Sequence, residues 1–262
     1  MRPTIEQGLQ SQAPAAPGRP AMVDLENVEV EFDGFKALNI QHFSVAPNEL
    51  RVVIGPNGAG KTTLCDVISG KTRPNKGRVW FDGTDITRMR DTEVARRGVG
   101  RKFQTPTVFD SLTVYENMEL AAPGRRNVFG SLFRGQSKDQ RSQITDILRR
   151  VHLLEHQHRR TRFLSHGQRQ WLEISMLIVA EPKLLLVDEP AAGLTDDETR
   201  LTADLLLELR GRHTIIVIEH DMEFVRRLNS RITVLNEGQM LAEGSIDEIQ
   251  TNKDVIEAYL GR

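Results

Sequence analysis

The sequence predicts an α/β fold organised around a mostly parallel sheet. Three observations carry this. Short apolar strings alternate with segments of helical period along most of the chain. One of them, Leu50-Arg51-Val52-Val53-Ile54, runs directly into a glycine-rich turn and then a helix. Two others, Leu184-Leu185-Leu186-Val187 and Thr214-Ile215-Ile216-Val217-Ile218, are nearly continuous apolar runs, as expected of strands covered on both faces.

Residues 1–21 read as a disordered tail or cloning remnant, with Pro14, Pro17 and Pro20 breaking any helix. No apolar h-region follows the first residues, so a secretory signal is not expected. Residues 23–32 alternate apolar and polar side chains and predict a half-exposed strand. Residues 61–70 predict a helix closed by Gly70, and residues 78–81 a strand before the turn Asp82-Gly83. Thr113-Val114-Tyr115-Glu116 is a capping box opening a helix. Residues 123–136 show no period and read as a loop or hairpin. Residues 137–154 place Ile144, Ile147, Leu148 and Val151 on one helical face. Further helices are expected at 196–210 and 222–228. Residues 232–235 and 240–242 form a hairpin around Asn236-Glu237-Gly238. Asn252 reads as a helix start or a charged turn.

Composition narrows the function. The 262 residues carry 35 basic and 36 acidic side chains, a balance that offers no support for a nucleic-acid groove. No apolar run approaches the ~20 residues of a membrane-spanning helix, so a membrane role is expected to come through partners. The single Cys65 excludes an internal disulfide and suits a reducing compartment.

Gly55-Pro56-Asn57-Gly58-Ala59-Gly60-Lys61-Thr62 fits the phosphate-loop pattern, in the strand-to-helix setting that pattern requires. Its glycines let backbone N–H groups approach phosphate oxygens, and the helix that follows, with Thr63 in its first turn, turns its positive end towards them. Lys61 is expected at the terminal phosphates of ATP, and the Thr62 hydroxyl at Mg²⁺. Asp188 and Glu189 end a buried strand, a costly placement unless they work with a cation. Asp188 is expected to hold Mg²⁺ through water, and Glu189 to polarise the attacking water.

Leu164-Ser165-His166-Gly167-Gln168 leads into another helix. Alone it reads as a helix cap. With the two motifs above, it resembles the signature of ABC ATPases, in which Gly is usual where His166 stands. The resemblance covers residues 22–262. It implies a P-loop NTPase (RecA-like) core at 22–104 and 180–262, with an N-terminal antiparallel β subdomain and an inserted α-helical signature subdomain at 105–179. It implies that Ser165, Gly167 and Gln168 meet the γ-phosphate held by an opposing subunit. Gln104 looks like the glutamine that senses Mg²⁺, His220 like the switch histidine, and Phe32 like the aromatic that stacks on adenine, with Phe35 close by. Where many relatives carry Asp after the acidic pair, this chain has Thr195.

Four strings look like the urea-import branch of the branched-chain amino-acid importer family: Gly100 through Phe109, the His166 signature, Glu219 through Val225, and Ala258-Tyr259-Leu260-Gly261-Arg262. The implied partners are a second ATPase subunit in a head-to-tail dimer, two transmembrane permeases and, indirectly, a solute-binding protein. The implied place is the cytoplasmic face of the plasma membrane. The alternative is a soluble ABC-type ATPase not coupled to transport. The stretch between phosphate loop and signature has no sustained heptads, as a coiled-coil ATPase of that kind would need. Phe109 has no evident core partner in the sequence and is equally readable as a docking anchor or as core.

Overall fold

A computed structural model describes residues 21–102, 108–123 and 138–260. Gln104, the expected tail except Ala21, and the expected loop beyond Pro123 lie outside the described residues.

Strands β1 (Val23–Phe32) and β2 (Phe35–Val45) form a hairpin. Asp33 and Gly34 close it with φ of 48° and 83°, the doubly positive geometry of a type I′ turn. The core strand β3 (Leu50–Ile54) runs into α1 (Lys61–Ile68). There follow β4 (Lys76–Phe81), β5 (Thr84–Asp85), α2 (Asp91–Arg96) and β6 (Val99–Lys102). The helical middle contains α3 (Val114–Ala121), α4 (Lys138–Arg150) and α5 (His166–Val179). The chain then alternates through β7 (Leu184–Asp188), α6 (Asp196–Leu209), β8 (Thr214–Ile218), α7 (Met222–Leu228), β9 (Arg231–Asn236), β10 (Gln239–Gly244), α8 (Ile246–Thr251) and α9 (Lys253–Leu260).

Two sheets result. The smaller is antiparallel in order β2-β1-β4-β5. The larger has order β10-β9-β3-β8-β7-β6, parallel except for the edge strand β10. Its central strands face two cores at once. Val52, Val187 and Val217 pack with the helices of the middle segment, while Val53, Leu186 and Ile216 pack with α1 and the small sheet. That is why those strands lack alternation. Arg51 interrupts the apolar run of β3 yet is buried. It is compensated by Glu49 at 2.7 Å and Glu243 at 2.6 Å, which ties the edge hairpin to the centre.

The expected strands and helices that fall on described residues are present within a few residues. Asn252 is a helix start: its Oδ1 accepts from the Asp254 and Val255 amides at 3.0 and 3.2 Å. The sequence reading did not assign β2, β5, α2 or α8. Among the described residues, no helix is long and apolar enough to cross a membrane.

Cys65 lies on α1 with no exposed surface, and burial pushes its thiol up to about 12. Because the thiolate is the reactive species, Cys65 is expected to resist a disulfide-exchange reagent at pH 8 until the chain unfolds. Thiol titration with and without denaturant checks this. Rapid reaction in the folded chain would contradict the burial.

Candidate functional site

The site gathers at the C-terminal ends of β3, β7 and β8, where a parallel sheet presents its loops. After β3 the chain turns through residues 55–60 into α1. Two glycines are required by close approach. A Cβ on Gly55 would sit 2.2 Å from the Leu235 carbonyl oxygen, and one on Gly60 2.7 Å from that of Ala37. Gly60 adopts a φ of 96° and caps α1 without any side-chain bond, leaving the first-turn amides of the helix free for an anion. Pro56 and Lys61 are half-buried, Ala59 is buried, and Asn57 and Gly58 are exposed on the loop; in the first turn of α1, Thr62 is exposed and Thr63 half-buried.

Lys61 folds back, its Nζ donating to the carbonyls of Gly55 at 2.6 Å and Pro56 at 2.9 Å. Burial holds its pKa below the usual lysine value, while Glu189 and Asp188 oppose that shift. Asp188 is 6% exposed. Burial raises its carboxyl pKa and Arg101 opposes the rise. Its Oδ2 is buried without a hydrogen-bond partner, so one carboxylate oxygen stands ready for a cation. Among the described residues, no group of three or more His, Cys, Asp or Glu side chains is placed to hold a metal alone. A divalent cation here would need phosphate oxygens and water as well, the usual habit of Mg²⁺. The open amides, the nearby lysine and the orphaned oxygen therefore fit a Mg²⁺–nucleotide pair.

Glu189 follows Asp188 with a φ of 47°, a left-handed conformation costing about 1–2 kcal/mol in a residue with a side chain. Several bonds hold it there. Its amide donates to the Ile218 carbonyl at 3.0 Å. The buried Gln170 side chain of α5 donates to the Pro190 carbonyl and, at 3.4 Å, to that of Glu189. From the loop after β8, the His220 Nδ1 lies 3.5 Å from Glu189 Oε1. Lys61, Asp188, Glu189 and His220 are thus brought to one place.

The signature residues form the start of α5. Ser165 caps the helix: its hydroxyl accepts from the Gln168 amide at 3.2 Å, and Gln168 Oε1 accepts from the Ser165 amide at 3.1 Å. Gly167 is buried where a Cβ would meet the Glu198 carboxylate at 2.2 Å. His166, standing where Gly is usual, places Nε2 3.2 Å from the Ala192 carbonyl oxygen, so its ring reaches the loop after Glu189. Thr195 caps α6, accepting from the Glu198 amide at 3.4 Å.

Phe32 and Phe35 are 50% and 66% exposed and face each other across the hairpin end, so neither ring is core. Phe109 is 56% exposed. The sequence reading missed Gln170 and Glu219. It also missed a role for Tyr259 of α9, whose hydroxyl hydrogen-bonds the Gly55 backbone while burial pushes its pKa up to about 12. Glu219 was findable: it ends a buried strand, as the acidic pair does.

The family model "ABC transporter" matches residues 38–192, and "Branched-chain amino acid ATP-binding cassette transporter" matches residues 239–262. The high-affinity branched-chain amino acid transport ATP-binding protein LivG of Escherichia coli (strain K12) is 36% identical, over 92% of this chain and 98% of that one. The crystal structure of the ADP conformation of an ABC transporter's ATP-binding cassette is 30% identical with a TM-score of 0.79, covering 93% of this chain and all of that one. A dimeric structure of a bacterial ABC transporter cassette is 26% identical with a TM-score of 0.72, covering 86% and 99%. The phosphate loop, the acidic strand end and the capped signature helix thus occur together in a chain that belongs to the ABC transporter ATP-binding family, as an ATP-hydrolysing transporter subunit.

Proposed function

We propose that this chain energises an importer of the branched-chain amino-acid type, as one of two ATPase subunits on the cytoplasmic face of a membrane. The convergence of Lys61, Asp188, Glu189 and His220 supports the chemistry, and the names of the relatives support the solute class. Bound ATP with Mg²⁺ supplies the transferable γ-phosphoryl group and its counter-charge. Lys61 would leave the Gly55 and Pro56 carbonyls for phosphate oxygens, and the loop amides would join it. Asp188, Thr62 and Gln104 would hold Mg²⁺. Glu189 would take the proton of the attacking water, with His220 fixing its carboxylate and reading the γ-phosphate. Phe32 would stack on adenine.

Ser165, Gly167 and Gln168 form a second anion site, fit to meet the phosphate of an opposing subunit. The dimeric relative supports a paired assembly, and two permeases with a solute-binding protein would complete it. A second solute, urea, is favoured by His166 and by the strings around Arg101, His220 and Tyr259. Uptake of labelled leucine and labelled urea, in cells lacking and regaining this chain, tests both. Uptake of neither that follows the chain would sink the importer reading.

The membrane partner would dock near Phe109. The backbone there is held rigidly: its amide donates to Asn117 Oδ1 at 2.8 Å, and its carbonyl accepts from Thr161 Oγ1 at 2.8 Å. The ring itself is left outward, and Phe163 is also 53% exposed. Phe109→Ala is therefore expected to leave the Tm and ATP affinity unchanged while membrane recruitment and transport fall. A loss near the ~3–5 kcal/mol of a truncated buried Phe in the isolated chain would refute the docking role.

A further inference from the structure

We infer that Glu219 is a positioning residue for ATP hydrolysis, its buried carboxylate tying the loop that carries Glu189 to the loop that carries His220. Glu219 directly follows β8 and is 1% exposed. Its Oε1 accepts from the Ala191 amide at 2.9 Å, 28 residues away in the chain. Its Oε2 accepts from the His220 amide at 2.9 Å and the Asp221 amide at 3.2 Å. Its own amide donates to the Val53 carbonyl of β3 at 3.2 Å, just before the phosphate loop. One residue therefore joins the Glu189 loop, the His220 loop and the strand that leads into the phosphate loop.

The reason lies in where the sheet stops. The β7–β8 ladder ends at Asp188 opposite Ile218. Beyond it the backbone of Glu189 turns left-handed, and no ladder remains to hold Ala191, His220 or Asp221. The Glu219 carboxylate supplies the missing acceptors in a buried place, where an unpaired amide is costly. A charged acceptor makes such bonds stronger than a neutral one does. The two loops are then joined through one rigid group, so the 3.5 Å spacing between His220 and Glu189 is kept. Glu219 touches no reacting atom; it acts through those two residues, and the inference rests on their assignment above.

Glu219→Gln keeps the shape but turns an NH₂ group towards backbone donors on one side, releasing one loop. In the transporter complex purified through this full-length chain, kcat is expected to fall by up to about 10²-fold, the scale of an ångström misplacement. KM and the affinity for a fluorescent ATP analogue are expected to stay. Combined with His220→Ala, the loss should be well short of the product of the single losses, because both act through one arrangement. A wild-type kcat, or losses that simply multiply, would overturn the inference. Hydrogen exchange on the unsubstituted chain gives a second check that needs no variant: slow exchange at the Ala191, His220 and Asp221 amides supports it, and fast exchange overturns it. Full turnover in Glu189→Gln or His220→Ala would overturn the assignment beneath, whereas loss there with full turnover in Glu219→Gln overturns the present inference alone.

Discussion

Glu189→Gln is expected to bind ATP as the native chain does and to hydrolyse it about 10²–10⁴-fold more slowly, the usual contribution of a positioned base. The amide is nearly isosteric, so the left-handed turn at Glu189, the bonds donated by Gln170 and the bond from the Glu189 amide to the Ile218 carbonyl should survive. What is lost is a proton acceptor 3.5 Å from His220 Nδ1. Removing one negative charge also relieves Asp188, whose carboxyl is already raised by burial and further raised by Glu189. Binding of Mg²⁺–ATP should therefore not suffer. Single-turnover hydrolysis beside a fluorescence binding curve separates the two effects. A native rate of hydrolysis in the assembled complex would remove Glu189 from its proposed role.

Lys61→Ala acts at the other end of the same site, on binding. The ammonium already sits in the loop, held by two carbonyls and partly desolvated. Phosphate oxygens exchange those neutral partners for charged ones, and the bond strengthens accordingly. A charge-assisted hydrogen bond is worth about 1.5–3 kcal/mol, so the Kd for ATP should rise by about 10–100-fold. The fold should persist, because Lys61 lies at the rim of the core rather than in it. Titration with a fluorescent ATP analogue, with a Tm as control, reads this directly. An unchanged Kd would mean that the loop amides alone hold the phosphates.

The parts of this site that were legible in the sequence are those written in contiguous residues. Gly55 and Gly60 announce themselves because a left-handed or crowded backbone position before a helix leaves few residue choices, and Lys61 follows them at the helix start. Asp188 and Glu189 stand out because two acids end an apolar strand. The supports were not legible. Gln170 reaches Pro190 from 20 residues away, and Glu219 reaches Ala191 from 28. Such side-chain-to-backbone bonds leave no spacing rule in the sequence. β2 went unassigned even though Asp33-Gly34 marks its turn, because His42 and Ser44 blur its alternation. Ser165 reads equally as a helix cap and as an anion ligand, and the structure shows the cap being made. Phe109 required the fold itself, since nothing local tells an exposed ring from a packed one.

The measurement that bears most directly on a motor built from two half-sites is a cross-link in the membrane complex. Cys65→Ala removes the native thiol. Asn57→Cys then marks the phosphate loop of this chain, and a second cysteine replaces the signature serine of the ATPase that copurifies, another copy or a homologue. Where it is another copy, that serine is Ser165. An inter-subunit cross-link that forms with ATP and is lost without nucleotide is the expected result. A cross-link that forms only within one chain, or no cross-link in a complex that still hydrolyses ATP, would contradict a site shared between subunits.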